Sequence, residues 1–266
     1  MKNSRAQIIA TIGPASIAKH ILESMIQHQM DVVRFNLSWA NPEERLPHIN
    51  LIKELSVQTG KKIPIILDLP GPRVKQEHGH KYDENVSGLT DYDKSLVEFG
   101  IENGVDYLAL SFVGGTKEIE MCREIIREKS GMQKIIAKIE RSVAVEVIDK
   151  IIESADAIMI ARGDLGSEVP LEQIPFIQKD IILKTKAVGK PVIVATQMLL
   201  SMVNEITPTR AEVTDVSEAI MQGADAVMLS EETAIGKYPV LAVEMMERIV
   251  SEAEKHLLHG NTINSL

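Results

Sequence analysis

Two carboxylates and one ammonium group stand at the ends of two apolar runs in the middle of the chain. Lys138 and Glu140 close the first run, and Asp164 follows the second. Lys138 and Glu140 are two residues apart, so on a β-strand their side chains point to the same face. Mg²⁺ usually takes one or two carboxylates from a protein and fills its octahedron with water and substrate oxygens. The spacing therefore predicts a Mg²⁺ and anion site made by these three side chains.

Eight short apolar runs alternate with amphipathic stretches, and together they would position these side chains. The runs are apolar on both faces, which is typical of parallel strands buried between helices. The intervening stretches repeat apolar residues at three- and four-residue spacing, as at Ile119, Cys122 and Ile126. We therefore predict eight strands, at residues 7–12, 32–37, 63–69, 107–113, 134–140, 157–161, 191–197 and 226–230.

This alternation predicts an α/β fold, and eight βα units in a row favour a single-domain (β/α)8 TIM barrel. An open, doubly wound sheet is the alternative, because the number of strands alone does not close a barrel. In such barrels the active site lies at the carboxyl ends of the strands. Polar side chains follow the predicted strands at these ends: Arg34, Asn36, Ser38, Asp68, Lys138, Glu140, Asp164, Thr196 and Ser230. Arg34, Asn36 and Ser38 alternate, so we expect them to share one face of their strand.

Length, charge and composition exclude several classes of function. The 266 residues are a length that α/β barrels reach as one domain. The net charge of −9 and the lack of a long basic block argue against a nucleic-acid partner. No apolar run is long enough to cross a bilayer, and the one cysteine cannot form an internal disulfide. We expect a cytoplasmic protein without a membrane or nucleic-acid partner.

The rim segments resemble those of the catalytic barrel of the pyruvate kinase family. The resemblance covers nearly the whole chain, and the segments follow one another in the order of the family. It is more specific for ancestry than for activity. The matching segments are residues 9–16, 34–38, 67–68, 71–72, 111–112, 138–140, 161–166, 195–198, 208–212, 228–230 and 232–234.

The resemblance implies a metal site and a carboxylate site on neighbouring strands. Glu140 and Asp164 would bind Mg²⁺ or Mn²⁺. The backbone of Ala161, Gly163 and Asp164, where a helix opens, would hold the carboxylate of phosphoenolpyruvate, pyruvate or a related oxoacid, because free N–H groups favour an anion. Lys138 would stabilise the charge of the transferring phosphoryl group.

Further roles that the resemblance implies concern the proton, the phosphate and a monovalent cation. Thr196 would lie near the methylene carbon of the enolate, on the side that delivers the proton, and would also contact the substrate. Arg34 would contact phosphate. Arg73 stands where K⁺-dependent members carry glutamate, so the chain resembles the K⁺-independent type. The positions that match the family's monovalent-cation site are Asn36, Ser38 and Asp68.

The chain departs from the family mostly on the nucleotide side. The family inserts a mobile lid domain after the third strand, whereas residues 74–89 are predicted here to be a short polar loop in a single catalytic barrel spanning 1–266. A C-terminal regulatory domain would also be missing. Trp39 replaces a usual histidine, Leu69-Pro70 replaces Thr-Lys, and Gly114-Gly115 replaces a basic pair. The resemblance therefore leaves the use of ADP or ATP open.

Three functions are compatible with these residues. The first is phosphotransfer between phosphoenolpyruvate and ADP, weakened by the lack of a lid. The second is a Mg²⁺-dependent lyase or enolising enzyme for an oxoacid, of decarboxylase or aldolase type, which needs no nucleotide. The third is a non-catalytic module that binds phosphoenolpyruvate or an oxoacid. The resemblance is also compatible with a homodimer formed through helices near residues 208–218.

Some of these residues have structural interpretations that need no ligand. Arg34 could simply pair with Asp68. Thr209 and Glu212 have the spacing of a helix capping box. His78 and His80, in a polar segment, are more typical of solvated side chains than of metal ligands.

Overall fold

The computed structural model describes residues 4–39, 41–75 and 80–257. Eight parallel strands in this part of the chain close into a barrel, so the predicted TIM barrel is confirmed and the open sheet is wrong. Around the barrel each strand pairs with the next in chain order, and the last strand pairs with the first. The barrel strands are β1 (Gln7–Thr11), β2 (Val32–Asn36), β3 (Ile65–Leu69), β6 (Tyr107–Leu110), β7 (Lys134–Ile139), β8 (Ala157–Ala161), β9 (Val192–Ala195) and β10 (Ala226–Leu229).

Helices follow the strands and cover the outside of the barrel. None of the helices within the described ranges is both long and apolar enough to cross a membrane. The described helices are α1 (Lys19–Gln27), α2 (Pro42–Thr59), α3 (Asp91–Glu102), α4 (Lys117–Glu128), α5 (Ser142–Glu146), α6 (Ile148–Ser154), α7 (Arg162–Glu168), α8 (Ile174–Ala187), α9 (Arg210–Gln222), α10 (Glu231–Ala234) and α11 (Pro239–Lys255).

Local sequence fixes the ends of the helices that matter for the site. Helix α2 begins at Pro42, and the Asn41 side chain caps it by accepting a hydrogen bond from the Glu43 N–H. It ends at Thr59 and is capped by Gly60, which takes the left-handed conformation with φ of 66°. Helix α9 begins with the predicted capping box of Thr209 and Glu212. The Thr209 side chain accepts a hydrogen bond from the Glu212 N–H, and the Glu212 side chain accepts one from the Thr209 N–H.

The segment after β3 is not the simple loop that its sequence predicts. Strands β4 (Arg73–Lys75) and β5 (His80–Tyr82) pair antiparallel and form a hairpin at the rim of the barrel. The Arg141 guanidinium stacks on the Tyr82 ring at 3.6 Å from the ring centroid. A side chain at Gly114 would place its Cβ 2.6 Å from Nη1 of Arg141, so the glycine leaves room for this contact. Residues 76–79, including His78, lie outside the described residues.

The interior of the barrel changes from apolar to polar toward the carboxyl ends of the strands. An apolar layer contains Ile9, Val32, Ile66, Ile136 and Met228, all buried. Because side chains alternate along a strand, residues two positions further on share the same inward direction. The sequence places a polar layer above the apolar one in this way, and its members are Thr11, Arg34, Asp68, Lys138 and Ser230.

Several strands end earlier than the sequence predicts, at the points where site residues leave the sheet. Phe112, Thr196 and Gln197 have φ of 56°, 75° and 57°, which a strand cannot accommodate. Strand β2 ends at Asn36 and gives way to a 3₁₀ turn, Leu37–Trp39. The predicted alternation therefore holds for Arg34 and Asn36, and it is wrong for Ser38.

Candidate active site

A buried ion-pair cluster lies at the carboxyl end of the barrel around Lys138. The Lys138 Nζ atom is 2.9 Å from Oδ1 of Asp68 and 2.9 Å from Oε1 of Glu140. It also donates a hydrogen bond to the Ser111 hydroxyl at 2.8 Å. All three N–H groups of the ammonium are therefore in use, and the side chain is held in one position. Lys138, Asp68 and Glu140 are each no more than 5% exposed.

Arg34 extends the cluster to the neighbouring strands. Its Nε atom donates to Oδ2 of Asp68 at 2.7 Å, and its Nη1 atom donates to the Thr11 hydroxyl at 2.8 Å. The structural interpretation of Arg34 as a partner of Asp68 is thus confirmed. None of the described residues accepts a hydrogen bond from Nη2, and Arg34 also lines the cavity described below. The pairing therefore leaves one edge of the guanidinium available to a ligand.

Charge balance decides the protonation of the cluster. Burial alone would raise the pKa of Asp68, but the charges of Arg34 and Lys138 outweigh it and lower that pKa to about 2. Burial opposes the charge on Lys138, yet Asp68 and Glu140 raise its pKa above the ordinary value. Lys138 is therefore a permanent cation, held between two carboxylates.

Glu140 is anchored on both sides and lies near a second, unpaired carboxylate. Its Oε2 atom accepts a hydrogen bond from the Phe112 N–H at 2.6 Å, just beyond the end of β6. Burial raises the pKa of Glu140, and the nearby Asp164 raises it further, against the opposing effect of Lys138. Asp164 is exposed, and no described residue forms a hydrogen bond or ion pair with its side chain.

This pair of carboxylates fits a Mg²⁺ ion. The charges of Glu140 and Asp164 repel each other, and a divalent cation between them would remove that repulsion. Within the described residues no group of three or more histidine, cysteine, aspartate or glutamate side chains could hold a metal. A metal here would therefore take the rest of its ligands from water or substrate, as Mg²⁺ does.

The residues matched to a monovalent-cation site do not form one in this arrangement. Both oxygens of Asp68 are occupied by the cations Arg34 and Lys138. The Asn36 side-chain oxygen accepts the N–H of Ser38 at 3.0 Å, which closes a local turn. A K⁺ ion at Asp68 would compete with two positive side chains for one carboxylate, so the fit is poor.

Thr196 and the start of α7 are packed against each other. Ala161 is the N-cap of α7, and Gly163 and Asp164 lie in its first turn, where backbone N–H groups lack partners within the helix. A Cβ atom on Gly163 would lie 2.7 Å from Cγ2 of Thr196, so only glycine permits this approach. The backbone of Thr196 is held by Arg162, whose Nη2 donates to its carbonyl at 2.9 Å.

A cavity of about 540 Å³ opens over these residues. It brings together four of the predicted site residues, Arg34, Asn36, Asp164 and Thr196. The predicted site residues that do not line it are Ser38, Asp68, Lys138, Glu140, Ala161 and Gly163. The loop after β1 and the start of α10 complete the wall, and one further basic side chain reaches it from α2. The remaining lining residues are Thr11, Ile12, Gly13, Pro14, Arg45, Ser230, Glu231, Ala234 and Ile235.

Two residues of the matching segments position the site without belonging to it, a role that the sequence did not predict. Arg162 forms a double ion pair with Asp215 at 2.6 Å from each guanidinium nitrogen, and so ties α7 to α9. Glu232, fully buried, accepts the N–H groups of Leu199 and Ser230 and joins the loops after β9 and β10. Both residues stand beside motif residues, which was the signal available in the sequence. Their hydrogen-bond and ion-pair partners are too distant along the chain to be identified from spacing.

Comparisons with known proteins agree with this geometry. The family described as "Pyruvate kinase, barrel domain" matches residues 3–86 and 80–243. A pyruvate kinase of Thermococcus litoralis is 36% identical, over 96% of this chain and 71% of its own length. A pyruvate kinase of Agrobacterium vitis is 35% identical, over 96% of this chain and 70% of its own length. A pyruvate kinase of Bacillus licheniformis is 34% identical, over 98% of this chain and 59% of its own length.

The alignments also show that this chain is shorter than its relatives within the matched region. The alignment with the Thermococcus litoralis protein spans 337 residues, whereas 96% of this chain is about 255 residues, so about 80 positions have no counterpart here. The two parts of the family match meet at residues 80–86, within and just after the hairpin. Both the match over most of the barrel and the identity of the relatives place the chain in the pyruvate kinase family.

Proposed function

We propose that this protein transfers a phosphoryl group between phosphoenolpyruvate and ADP with the help of Mg²⁺. The observation that carries the proposal is the position of Lys138, a buried permanent cation beside Glu140 and the unpaired Asp164. A fixed positive charge with two metal-binding carboxylates suits a reaction whose catalysis is mostly positioning and electrostatic stabilisation.

Glu140, Asp164, Gly163 and Thr196 each have a part in this proposal. Glu140 and Asp164 would hold Mg²⁺, which when bound supplies positive charge to the oxygens of both substrates. The backbone N–H groups at Gly163 and Asp164 would bind the substrate carboxylate. The bond between phosphorus and the enol oxygen breaks, a bond from phosphorus to the terminal ADP oxygen forms, and the enolate carbon takes up a proton near Thr196.

The contacts of Lys138 indicate how it would engage the transferring group. Its three N–H groups are used by Asp68, Glu140 and Ser111, and only Ser111 is a neutral acceptor. Hydrogen bonds between charged groups are about twice as strong as neutral ones. The bond to Ser111 is therefore the one that a phosphoryl oxygen would replace at the lowest cost.

The shortened segment after β3 limits the activity that we expect. About 80 residues of the relative have no counterpart, and we infer that the hairpin of β4 and β5 stands in place of a lid domain. A lid excludes water from the reacting group and completes the contacts to the substrate. Without one, we propose a slow phosphotransferase with weak binding of ADP.

Two assays test the proposal. A coupled assay with phosphoenolpyruvate, ADP and Mg²⁺ should show turnover that falls at least about a hundredfold in Glu140→Gln, because a metal ligand is lost. Glu146→Gln is the matched control, since Glu146 is exposed on α5 and the charge change is the same. Turnover equal in the two variants would refute the assignment of Glu140.

Deuterium exchange tests the enolising half of the site separately. With Mg²⁺ and pyruvate in D₂O, we expect deuterium at the methyl group above the background of metal alone. Exchange without phosphotransfer would favour the Mg²⁺-dependent oxoacid enzyme, and no exchange would leave the binding module. The names of the relatives support neither of these two alternatives.

A further inference from the structure

One basic side chain of the cavity has no partner among the residues that the structure describes. Arg45 lies on α2 and lines the cavity together with Arg34 and Asn36. Its Nε atom is buried and has no hydrogen-bond partner. None of the described residues forms an ion pair with its guanidinium. Arg34, by contrast, is neutralised by Asp68 at 2.7 Å.

An unpaired guanidinium in a cavity indicates an anionic ligand. Buried polar groups in proteins are almost always hydrogen-bonded, and those that are not generally meet water, an ion or a ligand. The guanidinium is planar, is always charged and offers its N–H groups in a fork that matches phosphate oxygens. The second basic residue of the cavity therefore has the chemistry of a phosphate-binding group.

The topology of the barrel places Arg45 across the cavity from the proposed metal site. Helix α2 follows β2, and Asp164 follows β8. From β2 the barrel order runs through β1, β10 and β9 to β8, so these two strands are four positions apart in a ring of eight. The cavity consequently has an acidic end at Asp164 and a basic end at Arg45, on opposite sides of the barrel mouth. Glu231, which follows β10, adds a carboxylate to the wall between them.

We propose that Arg45 binds the phosphate chain of a nucleoside diphosphate, and so fixes the second substrate in a site that has no lid. The assignment rests on the proposed function, in which the oxoacid and Mg²⁺ occupy the end near Asp164. A nucleotide whose terminal phosphate reaches toward Lys138 extends its remaining negative charge to the basic end. Arg45 is a binding residue in this scheme and does not take part in the bond changes.

Direct binding measurements test this without any turnover. We would titrate ADP, inorganic phosphate and phosphoenolpyruvate separately into the wild-type chain and into Arg45→Gln, Arg45→Lys and Arg127→Gln, by calorimetry at fixed ionic strength. Arg127 is exposed on α4 and is absent from the cavity wall, so its variant controls for the loss of one positive charge. Arg45→Lys keeps the charge but loses the planar fork.

The expected results differ between ligands and variants. A hydrogen bond to a charged group accounts for roughly a ten- to hundredfold change in affinity, so Arg45→Gln should weaken ADP binding by that factor. It should weaken inorganic phosphate binding as well and leave phosphoenolpyruvate binding within about twofold of the wild type. Arg45→Lys should fall between the wild type and Arg45→Gln. Arg127→Gln should bind all three ligands like the wild type.

Several outcomes would overturn the assignment. These are no binding of ADP to the wild-type chain at millimolar concentration, equal affinities in wild type and Arg45→Gln, or an equal loss in Arg127→Gln. A loss confined to phosphoenolpyruvate would also refute the nucleotide as the ligand. Binding of ADP that depends on Arg45 but comes with no phosphotransfer would support Arg45 and count against the proposed reaction alone, so the two proposals fail separately.

Discussion

Replacing Asp68 with asparagine would remove one of the two carboxylates that balance the charges of Arg34 and Lys138. Asp68 is fully buried, and its oxygens lie 2.7 Å from Nε of Arg34 and 2.9 Å from Nζ of Lys138. Its pKa is lowered from 3.8 to about 2, which corresponds to about 2.5 kcal/mol of folding free energy near neutral pH. Loss of one partner of a buried ion pair typically costs about 3–5 kcal/mol, because the other charge stays buried. We expect Asp68→Asn to be destabilised by that amount.

The lowered pKa of Asp68 determines how the stability difference between wild type and Asp68→Asn changes with pH. A carboxyl whose pKa is lower in the folded state stabilises the fold at pH values above its unfolded pKa. That stabilisation disappears as the pH falls toward 2, and about half of it remains at pH 3. The difference in unfolding free energy between wild type and Asp68→Asn should therefore be largest near pH 7 and should narrow below pH 4.

The assay is equilibrium unfolding in urea at pH 7, 5 and 3.5, followed by circular dichroism and by the fluorescence of the single tryptophan. Coincidence of the two curves would justify a two-state analysis for a chain of this size. Asp180→Asn is the control, because Asp180 forms an exposed pair with Lys184 and should change stability by less than about 0.5 kcal/mol. The reasoning would be refuted if Asp68→Asn were as stable as this control, or if its deficit stayed constant as the pH fell.

Three further predictions concern single features of the chain. Because Asp68 is occupied by Arg34 and Lys138, replacing K⁺ with tetramethylammonium should leave the rate of any phosphotransfer unchanged, and a severalfold loss would contradict the poor fit for a cation there. Thr209→Ala should lower the unfolding free energy by about 1 kcal/mol in urea titrations through loss of the α9 cap, whereas Thr209→Ser should retain most of it. The Cys122 thiol, whose pKa burial raises to about 12, should not react with a disulfide reagent at pH 8 until the protein is unfolded, and prompt labelling of the native chain would show that the helix opens.

The placement of the polar layer could be predicted from sequence because it depends on local periodicity. Lys138 and Glu140 are two positions apart at a strand end, and the eight runs were sufficient to order the strands around the barrel. The sequence could assign polar residues to the rim of the barrel. It could not identify their contact partners, because those depend on the register between strands. The contact between Lys138 and Asp68 joins positions 70 residues apart, across strands that are not neighbours, and no spacing rule indicates it.

The remaining details depend on backbone conformation and on side-chain direction, which periodicity does not determine. Phe112 has a positive φ and its N–H donates to Glu140, although the sequence there looks like a continuing strand. Ser38 was misplaced because a polar residue in alternation can equally begin a turn. Arg45 was missed because a basic residue on the first turns of an amphipathic helix usually faces solvent, and only the fold shows that it reaches the cavity.

The hairpin of β4 and β5 makes one position in the barrel a natural entry point for extra chain. Arg73 and Tyr82 are register partners, so the backbone leaves the barrel and returns to it at two points separated by about 5 Å. A segment of any length between such paired ends imposes no change on the strands below. The barrel can thus accept extra chain at this point without rearrangement of the strands that carry the ion-pair cluster, and the alignment with the Thermococcus litoralis protein contains about 80 positions that have no counterpart here.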